Sequence, residues 1–238
     1  MDLAALGTTV QVDVSGTGLD EEELRHAWAR CLADPDPDAL SLIPGPMTAS
    51  SLTQEITRKL ISRQIGHLLM FHAGAVCHPT TGDSVVFIAP GGTGKTTLTT
   101  HLGRRYGYIS DETIAIEPGT WQIFPYPKPL STRRADLFGE KAELSPDDLG
   151  LQPCHPHPHV SHLVLLARDD SHDTLITPER RLDAMVTMAE QSSSIHKLPK
   201  PLHLLADLID HTGQVWRAQY AECETLEPFI KDALGAPC

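Results

Sequence analysis

Apolar residues recur at two spacings along this chain, and each change of spacing marks an element. Residues 8–14 alternate apolar and polar positions, the period of a half-buried strand. Gly16 and Gly18 interrupt it, and residues 19–32 then follow helical spacing behind an acidic first turn, Asp20 to Glu23, which suits a helix N-terminus. The run Asp34-Pro35-Asp36-Pro37-Asp38 ends that helix, and Pro44-Gly45-Pro46 adds a second turn-rich stretch. The longest helical pattern spans residues 50–69. Leu52, Ile56 and Leu60 recur every fourth position, and Ile61, Ile65 and Leu68 continue it offset around the axis, with Arg58, Lys59 and Arg63 expected in solvent.

From there strand and helix patterns alternate. Residues 69–76 and 84–88 are apolar strand runs joined by the turn Pro79-Thr80-Thr81-Gly82-Asp83. Residues 96–102 carry Leu98 and Leu102 at helical spacing, and residues 108–112 read as a core strand ending in two carboxylates. Residues 113–116 and 121–123 predict a hairpin across Glu117-Pro118-Gly119-Thr120, followed by an extended, proline-stiffened segment at 125–129. A strand over 160–167, helices over 178–189 and 201–211, a strand over 215–220 and a helix from about Leu226 complete the chain. There is no internal repeat and no low-complexity tract. The alternation predicts an α/β fold, with residues 1–45 as an N-terminal accessory lobe and 46–238 as the main domain.

Composition narrows the partners. The 238 residues are 40% hydrophobic and 21% charged, ordinary for a soluble globular protein. Lys and Arg total 19 against 31 acidic residues, a formal charge of −12, which repels nucleic acid and anionic membranes. No apolar run approaches membrane-spanning length, and Met1-Asp2-Leu3-Ala4 lacks the basic start of a signal peptide. The five scattered cysteines show no Cys-x-x-Cys pairing, which points to reduced thiols in a cytoplasm. Oligomeric state is left open, a homo-oligomer included.

The chemistry concentrates in Ala89-Pro90-Gly91-Gly92-Thr93-Gly94-Lys95-Thr96-Thr97, a glycine-rich loop between a strand run and a helical run. Glycines let the backbone fold tightly, so that N–H groups of Gly91, Gly92, Thr93, Gly94, Lys95, Thr96 and Thr97 point at phosphate oxygens at the positive end of a helix. Lys95 is expected to reach the β- and γ-phosphates of a nucleoside triphosphate, and Thr96 to offer its hydroxyl to Mg²⁺. Ala89 stands where the motif usually has Gly, a position that a small residue can fill if φ is negative. Asp111 and Glu112 follow directly after the loop's helix and are expected at the carboxyl end of an adjacent strand, close to the phosphates. One acid of the pair is suited to taking a proton from an attacking hydroxyl, the other to holding Mg²⁺. His72, between Phe71 and Ala73, reads from composition alone as a satisfied core histidine.

His72-Ala73-Gly74-Ala75-Val76, then residues 85–96, then Tyr108-Ile109-Ser110-Asp111-Glu112, together resemble the core of the HPr kinase/phosphorylase superfamily, which is akin to phosphoenolpyruvate carboxykinase. The likeness covers about residues 50–135. It implies an α/β P-loop kinase core of that type, with ATP and Mg²⁺. It matches His72 to the family's active-site His, Asp111 to its general base, and Glu112 to the second acid, where the family has Asp. The Arg-Gly-rich signature that follows the acids in phosphorylase-type members is absent here, so the expected acceptor is a peptide or protein serine, or a small-molecule alcohol, other than HPr.

Three further features complete the expectations. Lys128, Arg133 and Arg134 are a local concentration of positive charge, suited to a phosphoryl acceptor region or else simply solvated. Cys154, His155, His157, His159 and His162 invite a metal reading, but the prolines between them favour an exposed connector. Residues 164–170 imitate a Walker B strand, with Asp169 as the acid of an alternative ATPase switch; the default is a core strand ending in a solvated acidic turn. A non-catalytic nucleotide-binding regulator is the third reading.

Overall fold

The computed structural model describes residues 1–133, 141–170 and 173–236. They divide into two compact units, Met1–Gln64 with Tyr126–Gly150, and Ile65–Pro125 with Leu151–Cys238, so the first unit extends past the lobe expected at residues 1–45 and takes in a later segment. The chain begins in the first unit with β1 (Asp2–Ala5), β2 (Thr8–Val12), α1 (Glu21–Ala27), β3 (Leu40–Leu42) and α2 (Ala49–Gln64). In the second unit it forms β4 (Leu69–Cys77), β5 (Asp83–Ile88), α3 (Lys95–Gly103), β6 (Gly107–Ser110), β7 (Thr113–Ile116) and β8 (Ile123–Phe124). It returns to the first for β9 (Leu130–Arg133) and β10 (Lys141–Leu144). The second unit closes with β11 (His159–Arg168), β12 (Leu175–Pro178), α4 (Arg181–Glu190), α5 (Pro201–Thr212), β13 (Val215–Tyr220) and α6 (Glu227–Leu234). Among the described residues no helix is long and apolar enough to cross a membrane.

In the first unit β2 pairs antiparallel with β1 and parallel with β3, and β9 pairs antiparallel with β10. Asp20 caps α1, its carboxylate accepting from the Glu23 N–H at 2.9 Å, which relieves one of the unpaired amides of a first turn. The helix is shorter than the expected 19–32: it stops at Ala27, and Ala29–Cys31 form one tighter turn. Leu52, Ile56 and Leu60 of α2 are fully buried, as their spacing predicts, but the helix ends at Gln64 instead of Leu69. Gly66 follows with φ of 81°, a left-handed residue of the kind that terminates helices, and Ile65 is left exposed. Strands β1, β3, β9, β10 and β12 are too short or too polar to have shown a period.

The second unit is a mixed sheet in the order β12-β13-β11-β5-β4-β7-β8, with β6 also paired to β4. Helices cover both faces, an α/β arrangement. Alternation along the strands decides which side chain meets which layer. Phe71, Ala73, Ala75 and Cys77 of β4, with Val86 and Ile88 of β5, share one core with Met188 of α4 and Leu205 and Leu208 of α5. Val76 of β4, Val85 and Phe87 of β5, and Val164 and Leu166 of β11 share the other with Leu98 and Leu102 of α3 and Ile230 of α6. By the same period of two, His72 and Gly74 lie on the α3 side of β4.

Gly74 is where α3 seats against the sheet. A Cβ on it would lie 2.6 Å from Thr99 Cγ2 and 3.3 Å from the Ser110 carbonyl oxygen. Gly74→Ala is therefore expected to destabilise the fold by about 1–3 kcal/mol, the cost of overpacking. Thr99→Ser, which removes the clashing methyl, should restore part of that loss in the double variant. Urea melts of the two single variants and the pair check both statements.

Candidate functional site

The site is built on the turn from β5 into α3. Gly92 and Gly94 have φ of 82° and 88°, a left-handed backbone that strains any side-chain-bearing residue. Ala89 is buried and is not among the positive-φ residues, which is why a residue with a Cβ serves where the motif usually has Gly. Gly94 caps α3, its carbonyl accepting the Leu98 N–H at 2.9 Å. The loop's carbonyl oxygens are taken up by side-chain donors. Lys95 Nζ donates to Ala89 O at 2.6 Å and Pro90 O at 2.8 Å, Thr93 Oγ1 donates to Pro90 O at 2.9 Å, and Tyr220 OH donates to Thr93 O at 2.7 Å. Oxygens that would repel an anion are thus engaged, and the first amides of α3 stand at the positive end of a helix.

Asp111 and Glu112 form the bend that links β6 to β7. The expectation of an adjacent strand needs correction: β4 lies between β5 and β6, pairing antiparallel with each. Two antiparallel steps leave β6 running in the same direction as β5, so both strands still end on the same side of the sheet. Thr96 Oγ1 donates to Asp111 Oδ2 at 2.8 Å, and Tyr108 OH donates to Asp111 Oδ1 at 3.1 Å. A hydrogen bond to a carboxylate is worth about 1.5–3 kcal/mol, so the first turn of α3 and the acidic bend hold one another in register. Asp111 is buried, at 5% exposure. Ser110 Oγ accepts the N–H of Glu112 at 3.3 Å, and the Glu112 carbonyl accepts the Ala73 N–H at 3.1 Å, which ties the bend to β4.

His72 pairs across β4–β7 with Thr113, one residue before the Ala73–Ile88 pair that aligns β4 with the end of β5. It is half-buried, and its N–H donates to Gln191 O at 2.7 Å. Burial, and then the Lys95 ammonium, lower its pKa, while Glu112 and Asp111 oppose them. That direction favours the neutral imidazole. Burial also lowers Lys95 to about 8 against the pull of Asp111 and Glu112. Charges on Asp111 and Glu112 thus reach both His72 and Lys95. Neither tyrosine was assigned a role: Tyr220 is more than a hundred positions from the loop and carries no motif, and Tyr108 entered only as the start of the strand that ends in the acids.

Of the remaining expected residues, some belong to the first unit and some to the second. Lys128 belongs to the first unit, where it is buried at 3% exposure with Nζ donating to Pro129 O at 3.1 Å, so it is not a solvated basic position. Arg133 ends β9, and Arg134 falls outside the described residues. Asp169 follows β11, the parallel neighbour of β5, and is half-buried with its N–H on Tyr220 O at 3.0 Å; Asp170 is exposed and pairs with Arg168. In the His-rich segment His159 Nε2 lies 3.0 Å from Asp83 Oδ1, and His155 Nδ1 accepts the His157 N–H. Among the described residues the one metal-ligand grouping of three is His101, Cys223 and Glu224, none of them in that segment.

The Hpr(Ser) kinase/phosphatase from Coxiella burnetii is similar in structure, with a TM-score of 0.37 and 13% sequence identity over 69% of this chain and 92% of that one. A likeness of that size carries no chemistry with it. No protein-family model matches the sequence, and no curated protein matches it.

Were the loop to take a triphosphate, as its sequence leads one to expect, the lowered pKa of Lys95 would set a pH dependence for that binding. A bound triphosphate favours the ammonium and raises its pKa, so affinity is level below about 8 and falls as pH rises through it. The slope approaches tenfold per pH unit. Calorimetric titration with ATP between pH 7.5 and 9.5 checks this, and a Lys95→Met variant should bind weakly with no such slope.

Proposed function

We propose that this chain is an ATP- and Mg²⁺-dependent kinase that transfers the γ-phosphoryl group to a hydroxyl, on a peptide or protein serine or a small-molecule alcohol. The observation that carries the reading is the 2.8 Å bond from Thr96 to Asp111, which joins the phosphate loop to the acidic bend. The resemblance of residues 50–135 to HPr kinases supports the same chemistry. The donor set fits the metal: the Thr96 hydroxyl and the Asp111 and Glu112 carboxylates are hard oxygen ligands of the kind Mg²⁺ takes. When bound there, Mg²⁺ supplies positive charge to the phosphate oxygens.

The backbone N–H groups of residues 91–97 bind the phosphates, and Lys95 swings its ammonium from the Ala89 and Pro90 carbonyls to the β- and γ-oxygens. Asp111 takes the acceptor's hydroxyl proton, and neutral His72 assists. Positioning and electrostatic stabilisation of this kind carry most of the rate in phosphoryl transfer. A second division of labour has its own support. Both Asp111 oxygens already accept hydrogen bonds, one of them from the metal-side Thr96, which favours Asp111 as a metal ligand with Glu112 and His72 nearer the proton.

Lys95→Ala is expected to lower turnover by at least roughly 10²-fold, the scale of losing one electrostatic stabiliser. Turnover equal to wild type, read as ADP release across a panel of hydroxyl acceptors, overturns the assignment. Asp111→Asn should keep ATP affinity within a few-fold and lose transfer as followed by ³¹P resonance. If Asp111→Asn instead raises the Mg²⁺ concentration needed for half-maximal rate and Glu112→Gln abolishes transfer, the second division holds. Phosphate released without an acceptor marks an ATPase, and neither product marks a regulator.

A further inference from the structure

Cys77 and Cys154 are 77 positions apart in the chain, yet their sulfurs lie 3.6 Å apart. Cys77 is the last residue of β4 and is fully buried; Cys154 is half-buried in the segment that leads into β11. No side chain parts them. Gly107 is paired with Cys77 in the β4–β6 ladder, and a Cβ on it would stand 2.7 Å from Cys77 Sγ and 3.1 Å from Cys154 Cα. The backbone around them is held: Tyr108 N–H donates to Gln152 O at 3.0 Å, and Gln152 N–H to Gly103 O at 2.7 Å.

We propose that Cys77 and Cys154 form a reversible disulfide under oxidation, making this pair a redox-modification site of the second unit. The surroundings favour the required thiolate. Cys77 Sγ accepts the His155 N–H at 3.4 Å as well as facing the Cys154 thiol, while Cys154 Sγ lies 3.2 Å from the His155 carbonyl. The Cys154 contact, first, and the His155 amide lower the Cys77 pKa against the opposing effect of burial. Division of labour follows from exposure. Hydrogen peroxide meets the more accessible Cys154, whose sulfur, on giving up its proton to solvent, displaces hydroxide from the O–O bond and becomes a sulfenic acid. The Cys77 thiolate then attacks the Cys154 sulfur, the S–S bond forms, and the sulfenic oxygen leaves as hydroxide, which takes up a proton. Two thiols and one peroxide give one disulfide and two waters.

The bond would staple the segment behind Gln152, on which the end of α3 and the start of β6 rest, to the end of β4. It closes a long loop of the unfolded chain, and loops of that length gain most from cross-linking.

The full-length protein, first reduced, is treated with one equivalent of hydrogen peroxide, and separately with diamide, then alkylated and digested without reductant. The expected result is a Cys77–Cys154 cross-linked peptide, cleaved by dithiothreitol, with Cys31 and Cys223 still alkylated. Cys77→Ser and Cys154→Ser should each abolish it, and Cys223→Ser should leave it intact. The melting temperature of the oxidised wild type should rise by roughly 5 °C or more over the reduced protein. Full alkylation of both thiols after both oxidants, or cross-links to other cysteines or to a second chain in place of this one, overturns the proposal.

Discussion

The seating of α3 on β4 is the constraint on which the site depends. Gly74 lets Thr99 approach the strand so closely that no side chain fits between them, and this sets the height of the helix above the sheet. With the helix at that height, its first turn reaches the bend after β6, and Thr96 meets Asp111. A helix lifted by the width of a methyl group would stretch that bond out of range. Packing at one glycine thereby becomes geometry at a carboxylate that is distant in sequence and adjacent in space.

Electrostatics explain why the loop needs so many partners. Lys95 is buried at 6% exposure, and removing an ammonium from water is costly unless other groups replace its hydration. The Ala89 and Pro90 carbonyls do so directly, and the Asp111 and Glu112 carboxylates do so at longer range. The same two acids offset the effect of burial on His72. Tyr220 steadies the loop from β13, two strands away from β5, so the sheet order and the loop conformation are one design.

The order of strands also accounts for what went unforeseen. The acids were expected on the strand beside β5 because the chain passes from loop to helix to strand in sequence. The sheet instead inserts β4 there, and with it His72, so the histidine comes from a strand laid down before the loop and the acidic bend from the strand beyond it. Lys128 was left open between an acceptor contact and a solvated charge, because local composition cannot show which residues the fold will cover. Helix α2 stops at Gln64, short of the apolar spacing that runs on to Leu68, where Gly66 takes a left-handed backbone.

What the amino-acid order determined alone were features whose cause is local. The glycines of the loop dictate its backbone, the period of two divides β4 and β5 between two cores, and the fourfold spacing of Leu52, Ile56 and Leu60 buries one face of α2. Tertiary structure alone decided which strands became neighbours, that Tyr220 would hold the loop, and that two distant thiols would touch. Those outcomes come from pairings between residues far apart in the chain, whose energies depend on the packing of everything between them, and no short stretch of sequence carries that information.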